Sequence, residues 1–533
     1  MSADSNHHLS RRAILGLTGA AATSLAIGAA STTAPITPAG ARPPFGRLPD
    51  GLFALGVASG DPWPDGFVAW TRLAPDPTAP DGLSGMPDSE VRVEWEVSAD
   101  DSFRRIVRRG VERAERRWAH SVHAEVRGLE PGREYWYRFR VGREVSPAGR
   151  AVTAPARDAA VAGLTFAFAS CQNYYEGFFT AFGHMARQDV DLVVHLGDYI
   201  YEGGGQGEIG RGHLPAAETF SLTDYRIRYG QYKLDADLQA AHLVAPWVVA
   251  PDDHDVENNW AGDISQVDTE PDQDPAVFRQ RRAAAYQAYG ENLPLRRSSM
   301  PAGPEMQVFR RLQFGNLMQL DVLDTRRYRD DQIENCPGAC APRWATERQM
   351  LGKEQERWLA KGFAESTARW NLLGNQVFCF EADHAAGEEE EYSNDTWDNY
   401  AAARQRLFDQ VQDNGIDNFV MITGDAHRST AADLKINFAD ENSATIGTEF
   451  LGTSVTSGGD GSDSDALGKI WLDENPHMKF HNKQRGYQLV RLDHEKLITE
   501  YRVCDRVSSA DGTVTTRASV AVEAGHPGIA GVD

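Results

Sequence analysis

The run Leu192-Val193-Val194-His195-Leu196-Gly197-Asp198-Tyr199-Ile200-Tyr201-Glu202 decides how the chain is read. Its apolar first half has the look of a short buried strand. Such a strand delivers Asp198 and, three residues on, Tyr201 to its C-terminal edge, the crevice in which α/β sheets bind ligands. Carboxylate and phenolate are anionic oxygen donors and together suit a hard, oxidised iron. Taken alone, the run reads equally well as a buried Asp beside core aromatics, so the distant motifs have to decide.

Working outward, strands alternate with helices. Residues 164–169 read as a strand and 178–185 as a helical stretch leading to the Asp198 strand. Helices are expected at 223–243, 275–290, 352–368 and 398–413, the last preceding a buried strand at Phe419-Val420-Met421-Ile422-Thr423. Polar residues follow each strand, the grammar of an α/β sheet with a site along one edge. Four strand ends carry possible metal ligands. They are Cys171 in Ala169-Ser170-Cys171-Gln172-Asn173, the Asp198/Tyr201 pair, the block Asp252-Asp253-His254-Asp255-Val256-Glu257-Asn258-Asn259, and Gly424-Asp425-Ala426-His427. Any one of them is weak evidence, because Asp- and His-rich loops are usually solvated turns. Gly205, Gly207 and Gly210 fit G-x-G-x-x-G, but Asp198 and Glu202 intervene and no amphipathic helix opens at Gly210, so a loop is expected. The acidic stretch Asp460-Gly461-Ser462-Asp463-Ser464-Asp465 lacks the ligand order of a calcium loop and reads as a solvated turn.

The beginning of the chain reads as a targeting signal, residues 1–41. Twin arginines, Arg11 and Arg12, precede a mild Ala/Gly-rich stretch, the pattern of export in the folded state by the twin-arginine machinery. Folded export would let a metal be loaded beforehand, and it implies a secreted or envelope-associated product. No later stretch approaches a membrane span of ~18 apolar residues. With 77 Asp and Glu against 54 Lys and Arg, the formal charge of −23 excludes general coating of nucleic acid or anionic membranes. Phosphate recognition must then come from a local site, for which metal cations are one solution. Residues 42–154 show β alternation and read as an all-β sandwich of fibronectin or immunoglobulin type. Residues 160–505 form the α/β core, and 506–533 read as a Gly/Ala/Thr-rich tail. Cys336 and Cys340 bracket a tight loop that a disulfide could close, and Cys379 reads as a buried free thiol.

As a set, these segments resemble the alkaline phosphatase D (PhoD-like) family, within the calcineurin-like metallophosphoesterase group. The likeness also rests on Leu323-Asp324-Thr325-Arg326-Arg327-Tyr328-Arg329, Gly352-Lys353-Glu354-Gln355, Trp370-Asn371-Leu372-Leu373-Gly374-Asn375-Gln376 and Gly452-Thr453-Ser454. It spans nearly the whole chain after the signal. The resemblance implies a metallophosphoesterase-type core of layered β-sheets with flanking helices. It also implies Fe(3+) with one or two divalent ions, Ca(2+) foremost and Mn(2+) or Mg(2+) as substitutes. Carried over by position, Cys171, Asp198, Tyr201 and His427 resemble the iron ligands, while Asp198 bridges to a second metal completed by Asp253 and Asp425. Pro251 stands where the family usually has Trp and Asp255 where it has Glu, which leaves the ligands intact but alters the pocket wall.

The implied chemistry follows from charge. A phosphate ester is anionic, so a nucleophile attacks only when the ester oxygens are neutralised and the attacking water is activated, and a two-metal pair does both. His254 is the candidate for protonating the leaving alkoxide. Arg326 is the candidate phosphate clamp, with Arg327 and Arg329 as neighbours, and an ion pair with Asp324 is the competing reading. Asn375 ends another strand and is a candidate substrate contact. The activity expected is hydrolysis of small phosphate mono- or diesters at alkaline pH by a monomer. A phospholipase D-like diesterase acting on phospholipid headgroups is the nearest alternative. A cell-surface binding protein keeping only structural metals is the reading from another class. The loops 202–222 and 381–397 are expected to set pocket depth, and Glu388-Glu389-Glu390-Glu391 reads as a solvated face.

Overall fold

The computed structural model describes residues 48–533 apart from 335 and 337–339, so the twin-arginine segment lies outside the described residues. The alternation expected after residue 160 is realised as two mixed β-sheets. One has ten strands, in the order His526–Val532, Val514–Glu523, Lys496–Cys504, Gly486–Asp493, Gly163–Ala169, Leu192–His195, Trp247–Val249, Val57–Trp63, Gly66–Arg72 and Ser121–Val126. The other has seven, in the order Arg310–Phe314, Met318–Val322, Trp370–Asn375, Phe419–Thr423, Thr445–Leu451, Ser429–Lys435 and Met478–Asn482. In each sheet a parallel block sits at the centre. Gly163–Ala169, Leu192–His195 and Trp247–Val249 run parallel in the first, and Met318–Val322, Trp370–Asn375, Phe419–Thr423 and Thr445–Leu451 in the second.

The continuous apolar runs of the central strands follow from burial on both faces. In Phe419–Thr423, Val420 and Ile422 join the core shared with the first sheet, while Phe419 and Met421 join a second core. That second core is closed by Leu359 and Phe363, Leu407 and Phe408, and Trp471, carried by the helices Gly352–Ala364, Ala401–Asp413 and Ala466–Glu474. The two sheets also touch directly through a parallel bridge between Ser170 and Ser454.

Three helix boundaries differ from expectation. The helix anticipated over 223–243 is two, Leu222–Lys233 and Ala236–Val244. Asp235 divides them because its extended backbone lets its carboxylate accept the amides of Asp237 and Leu238, a strong N-terminal cap. Residues 397–400 form a 3-10 turn capped by Thr396 before the helix proper begins at Ala401. The 352 helix ends at Ala364.

Two domain expectations need correction. The N-terminal region has its own core, which includes Phe67, Val93, Val97, Val122, Tyr137 and Phe139, and a five-stranded sheet built on Ile106–Ala114, Val91–Ser98 and Glu134–Val141. Its other layer, however, is not separate. Val57–Trp63 pairs in parallel with Trp247–Val249, so the strands facing that sheet extend the ten-stranded one. Gly60 makes the junction possible, since a Cβ there would lie 2.5 Å from the Pro294 carbonyl and 2.7 Å from that of Trp247. The second correction concerns 506–533. Val514–Glu523 and His526–Val532 form an antiparallel hairpin that completes the ten-stranded sheet, its alternating residues Ala518, Val520 and Val522 turned into the core. Composition hid this strand because its apolar members are small. Cys336 and Cys340 form a disulfide, and Cys379 is a buried free thiol. Among the described residues, no helix is long and apolar enough to cross a membrane.

Candidate metal centre

All four sequence-predicted segments leave the C-terminal ends of parallel strands and meet where the two sheets abut. Cys171 and Asp198 come from the first sheet, with Asp252, Asp253 and His254 following Trp247–Val249, while Asp425 and His427 follow Phe419–Thr423 of the second. The backbone there is unusual. Cys171 (φ 59°), Asp198 (φ 54°), Asp425 (φ 70°) and His427 (φ 55°) all occupy the left-handed region without being glycine. Each such residue carries strain of order 1–2 kcal/mol, which persists only where the surroundings over-determine it, as at functional sites. The loops are also closely abutted. A Cβ on Gly197 (φ 113°) would fall 2.1 Å from the Cβ of Asp252.

One half of the centre gathers Cys171, Asp198, Tyr201 and His427. Ligand atoms of Cys171, Asp198 and His427 lie within 4.8 Å of one another. Tyr201 joins them through its hydroxyl, which donates to Asp198 Oδ2 at 2.9 Å and lies 3.0 Å from His427 Nε2. Ser457 Oγ is 2.7 Å from both Tyr201 Oη and the Cys171 carbonyl, and its single proton serves one at a time. The other half is made of carboxylates. Asp253 groups with Asp198 and His254 on one side and with Asp252 and Asp425 on the other. Asp253 is therefore the shared member, and Asp198 links the halves. Asp198 Oδ1 also accepts the His254 amide at 3.3 Å.

Arg326 sits inside the carboxylate half and is wholly buried. Nε donates to Asp252, Nη1 to both oxygens of Asp395 at 2.9 and 2.8 Å, and Nη2 to Asp425 at 2.9 Å, with Asp253 at 3.3 Å. Four of its five N–H groups thus bond protein carboxylates, and Asp253 lies beside the guanidinium as an ion-pair partner. This overturns the reading of Arg326 as a substrate clamp, because a side chain 1 % exposed and bonded on all sides has nothing left for a phosphate. Arg329 is also internal, bonding Asp395 and the carbonyls of Asn259 and Trp260. Arg327 pairs with Glu305.

The titration behaviour mirrors this division. Burial, reinforced by the Asp198 and Asp425 charges, pushes the Cys171 thiol well up, and burial with Asp198 does the same to Tyr201. Burial and the Asp253 charge raise Asp198 well above the carboxylate range. His427 is pushed down to about 3 by burial, with Arg485 and His254 adding to it. Asp253 behaves oppositely: burial works against its charge, but Arg326 and His254 hold it below the usual range. Asp252 is moved up to about 6 by burial against the pull of Arg326. A thiol, a phenol and a carboxylate held in their protonated forms beside an imidazole held neutral, the form in which it ligates, fit a cation of high charge, taken up with release of protons from the first three. Asp253 Oδ1, buried without a hydrogen bond, fits a hard divalent ion in the neighbouring position.

His254 stacks on the Tyr201 ring at 4.2 Å, and its Nδ1 is 2.7 Å from Glu202 Oε2. Its side chain is 20 % exposed, as is that of Asp425, and with the part-buried His427 they face the opening of a cluster whose other members are buried. Burial lowers the proton affinity of His254, but Glu202, Asp253 and Asp198 outweigh it and raise the group well above its ordinary value.

The structure brings Cys171, Asp198, Tyr201, Asp253, His254, Asp425 and His427 together. Asn375 does not reach them. It is fully buried, and its amide donates to the Val377 carbonyl, which corrects its reading as a substrate contact. Four contributors were missed. Asp252 and Glu202 stood inside the quoted motifs, and alternation of roles along each loop could have found them. Asp255 was noted only as a departure, yet it accepts the amides of Tyr199 and Asp252 and the Tyr229 hydroxyl, tying two motif loops together. Asp395 comes from a loop with no local signal at all. A cavity of about 680 Å³ contains none of the candidate ligands. It is lined instead by residues such as His384, Tyr392 and Asn394, and Glu389, Glu390 and Glu391 border it while standing exposed, as expected of a solvated face.

Comparison with known proteins gives this constellation its class. Residues 166–501 match the model of the PhoD-like phosphatase family, and residues 41–155 match the N-terminal domain of PhoD-like phosphatases. The chain belongs to the PhoD-like phosphatase family and is a phosphoesterase of that type, a hydrolase of ester bonds. Among its relatives, alkaline phosphatase D of Bacillus subtilis (strain 168) is 46 % identical over 496 residues, covering 92 % of this chain and 83 % of that protein. A solved structure of PhoD superposes with a TM-score of 0.86 at 46 % identity, covering 92 % of this chain and 93 % of that one.

Proposed function

We propose that the protein is an exported, metal-dependent phosphoesterase that hydrolyses small phosphate mono- and diesters at alkaline pH as a monomer. Cys171, Asp198, Tyr201 and His427 would hold Fe(3+), and Asp198, Asp253 and Asp425, with Asp252 adjoining, would hold Ca(2+), Mn(2+) or Mg(2+). When bound, the metals supply charge neutralisation for the phosphate and activation of the attacking water. The observation that carries the reading is the convergence of thiol, carboxylate and imidazole ligand atoms within 4.8 Å of one another, with the Tyr201 hydroxyl within hydrogen-bonding distance of Asp198 and His427.

The chain's own residues do the remainder. Arg326 holds Asp252, Asp253 and Asp425 in one arrangement before any ion arrives. Glu202 fixes the His254 ring through Nδ1, leaving Nε2 to carry a proton to the departing alkoxide at the mouth of the site. Export rests on Arg11 and Arg12, in the segment outside the described residues.

Metal analysis of the purified protein, with hydrolysis of p-nitrophenyl phosphate and bis-p-nitrophenyl phosphate in calcium or chelator, tests the proposal. Expected are about one iron per chain, calcium-dependent turnover, and a visible tyrosinate-to-iron absorption that disappears in Tyr201→Phe. Undiminished turnover in a protein stripped of metal would overturn it. Faster hydrolysis of the diester, extended to phosphatidylcholine, would shift the substrate class toward phospholipids.

A further inference from the structure

A second all-carboxylate group follows Asp253 along the chain. Glu257, Asp268 and Asp272 bring oxygens within 4.8 Å of one another. Glu257 and Asp272 are 2 % and 0 % exposed, while Asp268 stands at the surface. One guanidinium serves the group. Arg281 Nη1 lies 3.2 Å from Glu257 Oε1 and 3.0 Å from Asp272 Oδ2, and Nη2 is spent on Glu218 at 2.6 Å. Ser265 Oγ adds a proton that reaches either Glu257 Oε1 at 3.2 Å or Asp272 Oδ1 at 3.3 Å. Gln273 Nε2 donates to Asp268 Oδ1 at 3.0 Å. Glu257 Oε2, however, is buried and has no hydrogen-bond partner.

One cation therefore serves three carboxylates, Glu218, Glu257 and Asp272, with Asp268 beside them, and a buried carboxylate oxygen is left over, an arrangement that costs free energy unless a positive charge completes it. Burial already drives Glu257 up to about 8 despite Arg281, with Asp272 and Asp268 adding to the rise.

We propose that Glu257, Asp268 and Asp272 form a structural calcium site, separate from the catalytic centre. All its donors are oxygens, which disfavours zinc or iron. One donor stands on an exposed loop, so waters can fill the remaining positions of a flexible 6–8-coordinate ion, where Mg(2+) would demand a stricter octahedron. The ion would fasten residues 257–272 to the start of the helix Pro275–Asn292, which carries Arg281. Glu257 N donates to the Asp253 carbonyl at 2.6 Å, so the site buttresses the loop that presents Asp253 and His254.

Calcium equivalents bound to the full-length exported protein, counted by equilibrium dialysis at ~10⁻⁴–10⁻³ M free ion, test this. Asp268→Asn, at the surface, should bind one equivalent fewer than wild type while keeping its iron absorption and basal monoester turnover. Glu257→Gln should lose the same equivalent. Asp425→Asn, altered in the catalytic centre, should keep the equivalent that Asp268→Asn loses, which separates this site from the catalytic reading whatever metal the centre takes. Protease cleavage within 263–270 should be slowed by calcium in wild type and not in Asp268→Asn. Equal stoichiometry in wild type and Asp268→Asn would overturn the proposal, as would loss of every calcium in Asp425→Asn.

Discussion

The two halves of the centre handle buried charge in opposite ways. Around Tyr201 the charge is held back by proton sharing: phenol, carboxylate and imidazole bond one another and Ser457, while the Cys171 thiol donates to Ser170 Oγ. Around Asp253 a built-in cation, Arg326, bridges Asp252, Asp253, Asp395 and Asp425. The first half is a set of protonated thiol, phenol and carboxylate donors with a neutral imidazole, which would give up protons to a strongly charged ion. The second is already anionic and arranged, and it suits a more weakly held divalent ion. The difference explains why one cluster contains a sulfur and a nitrogen while the other is all oxygen.

The comparison can be broken from either side. Asp198 belongs to both halves, so Asp198→Asn should have the largest effect, a loss of kcat/KM of about 10⁴-fold together with loss of iron, read by steady-state kinetics and metal analysis. Arg326→Met should act on the second half alone. It leaves buried carboxylates without their partner and should destabilise the protein by about 3–5 kcal/mol in denaturant unfolding, while the tyrosinate absorption at the first half survives. If that absorption vanished as well, the halves would not be independent. His254→Gln should lower turnover by about 10²-fold for an alkyl phosphate but far less for p-nitrophenyl phosphate, whose leaving group needs no proton. Equal losses on both would assign His254 to metal binding instead.

The smallest effect concerns a cation with no acid, the inverse of the Asp253 half. Lys233 is buried behind the Asp198 strand, its Nζ 3.3 Å from Tyr199 Oη and 4.2 Å from the Trp70 ring centroid. Burial, with Arg72 adding to it, lowers its pKa from 10.5 to about 7. Between those values the unfolded chain holds a proton that the folded chain does not, so stability rises with pH across the window. The penalty is complete below about 7 and absent above 10.5. From pH 7 to pH 9 wild type should gain on the order of 2 kcal/mol from this group, and Lys233→Met should lose that slope in urea titrations at the two pH values.

Much of the centre was legible because its ligands follow strands whose apolar runs are unmistakable. Asp198, Asp253 and Asp425 are each announced by the strand before them. What stayed hidden depended on the third dimension. Arg326 reads in sequence as one of three arginines available to an anion, and only its enclosure by Asp252, Asp395 and Asp425 shows that the anions are the protein's own. Left-handed backbone at Cys171 carries no local signature, since cysteine is not among the residue types enriched there. The N-terminal layer and the closing hairpin were misjudged for one reason. Strands that complete a neighbour's sheet look in sequence like strands of their own domain, or, with Ala and Thr in place of larger residues, like no strand at all.

The spacing of the ligands along the chain has a consequence for how the molecule is made. Cys171 leaves the ribosome roughly 250 residues before His427, about 15–50 s earlier at ~5–20 residues per second. Ser457 and the strands that finish the ten-stranded sheet come later still. Throughout that interval the thiol lacks His427 and Ser457, and in an oxidising compartment it would be open to pairing with Cys336, Cys340 or Cys379 as they emerge. Synthesis and closure in a reducing compartment, before the chain is moved elsewhere, would keep Cys171 available as a ligand.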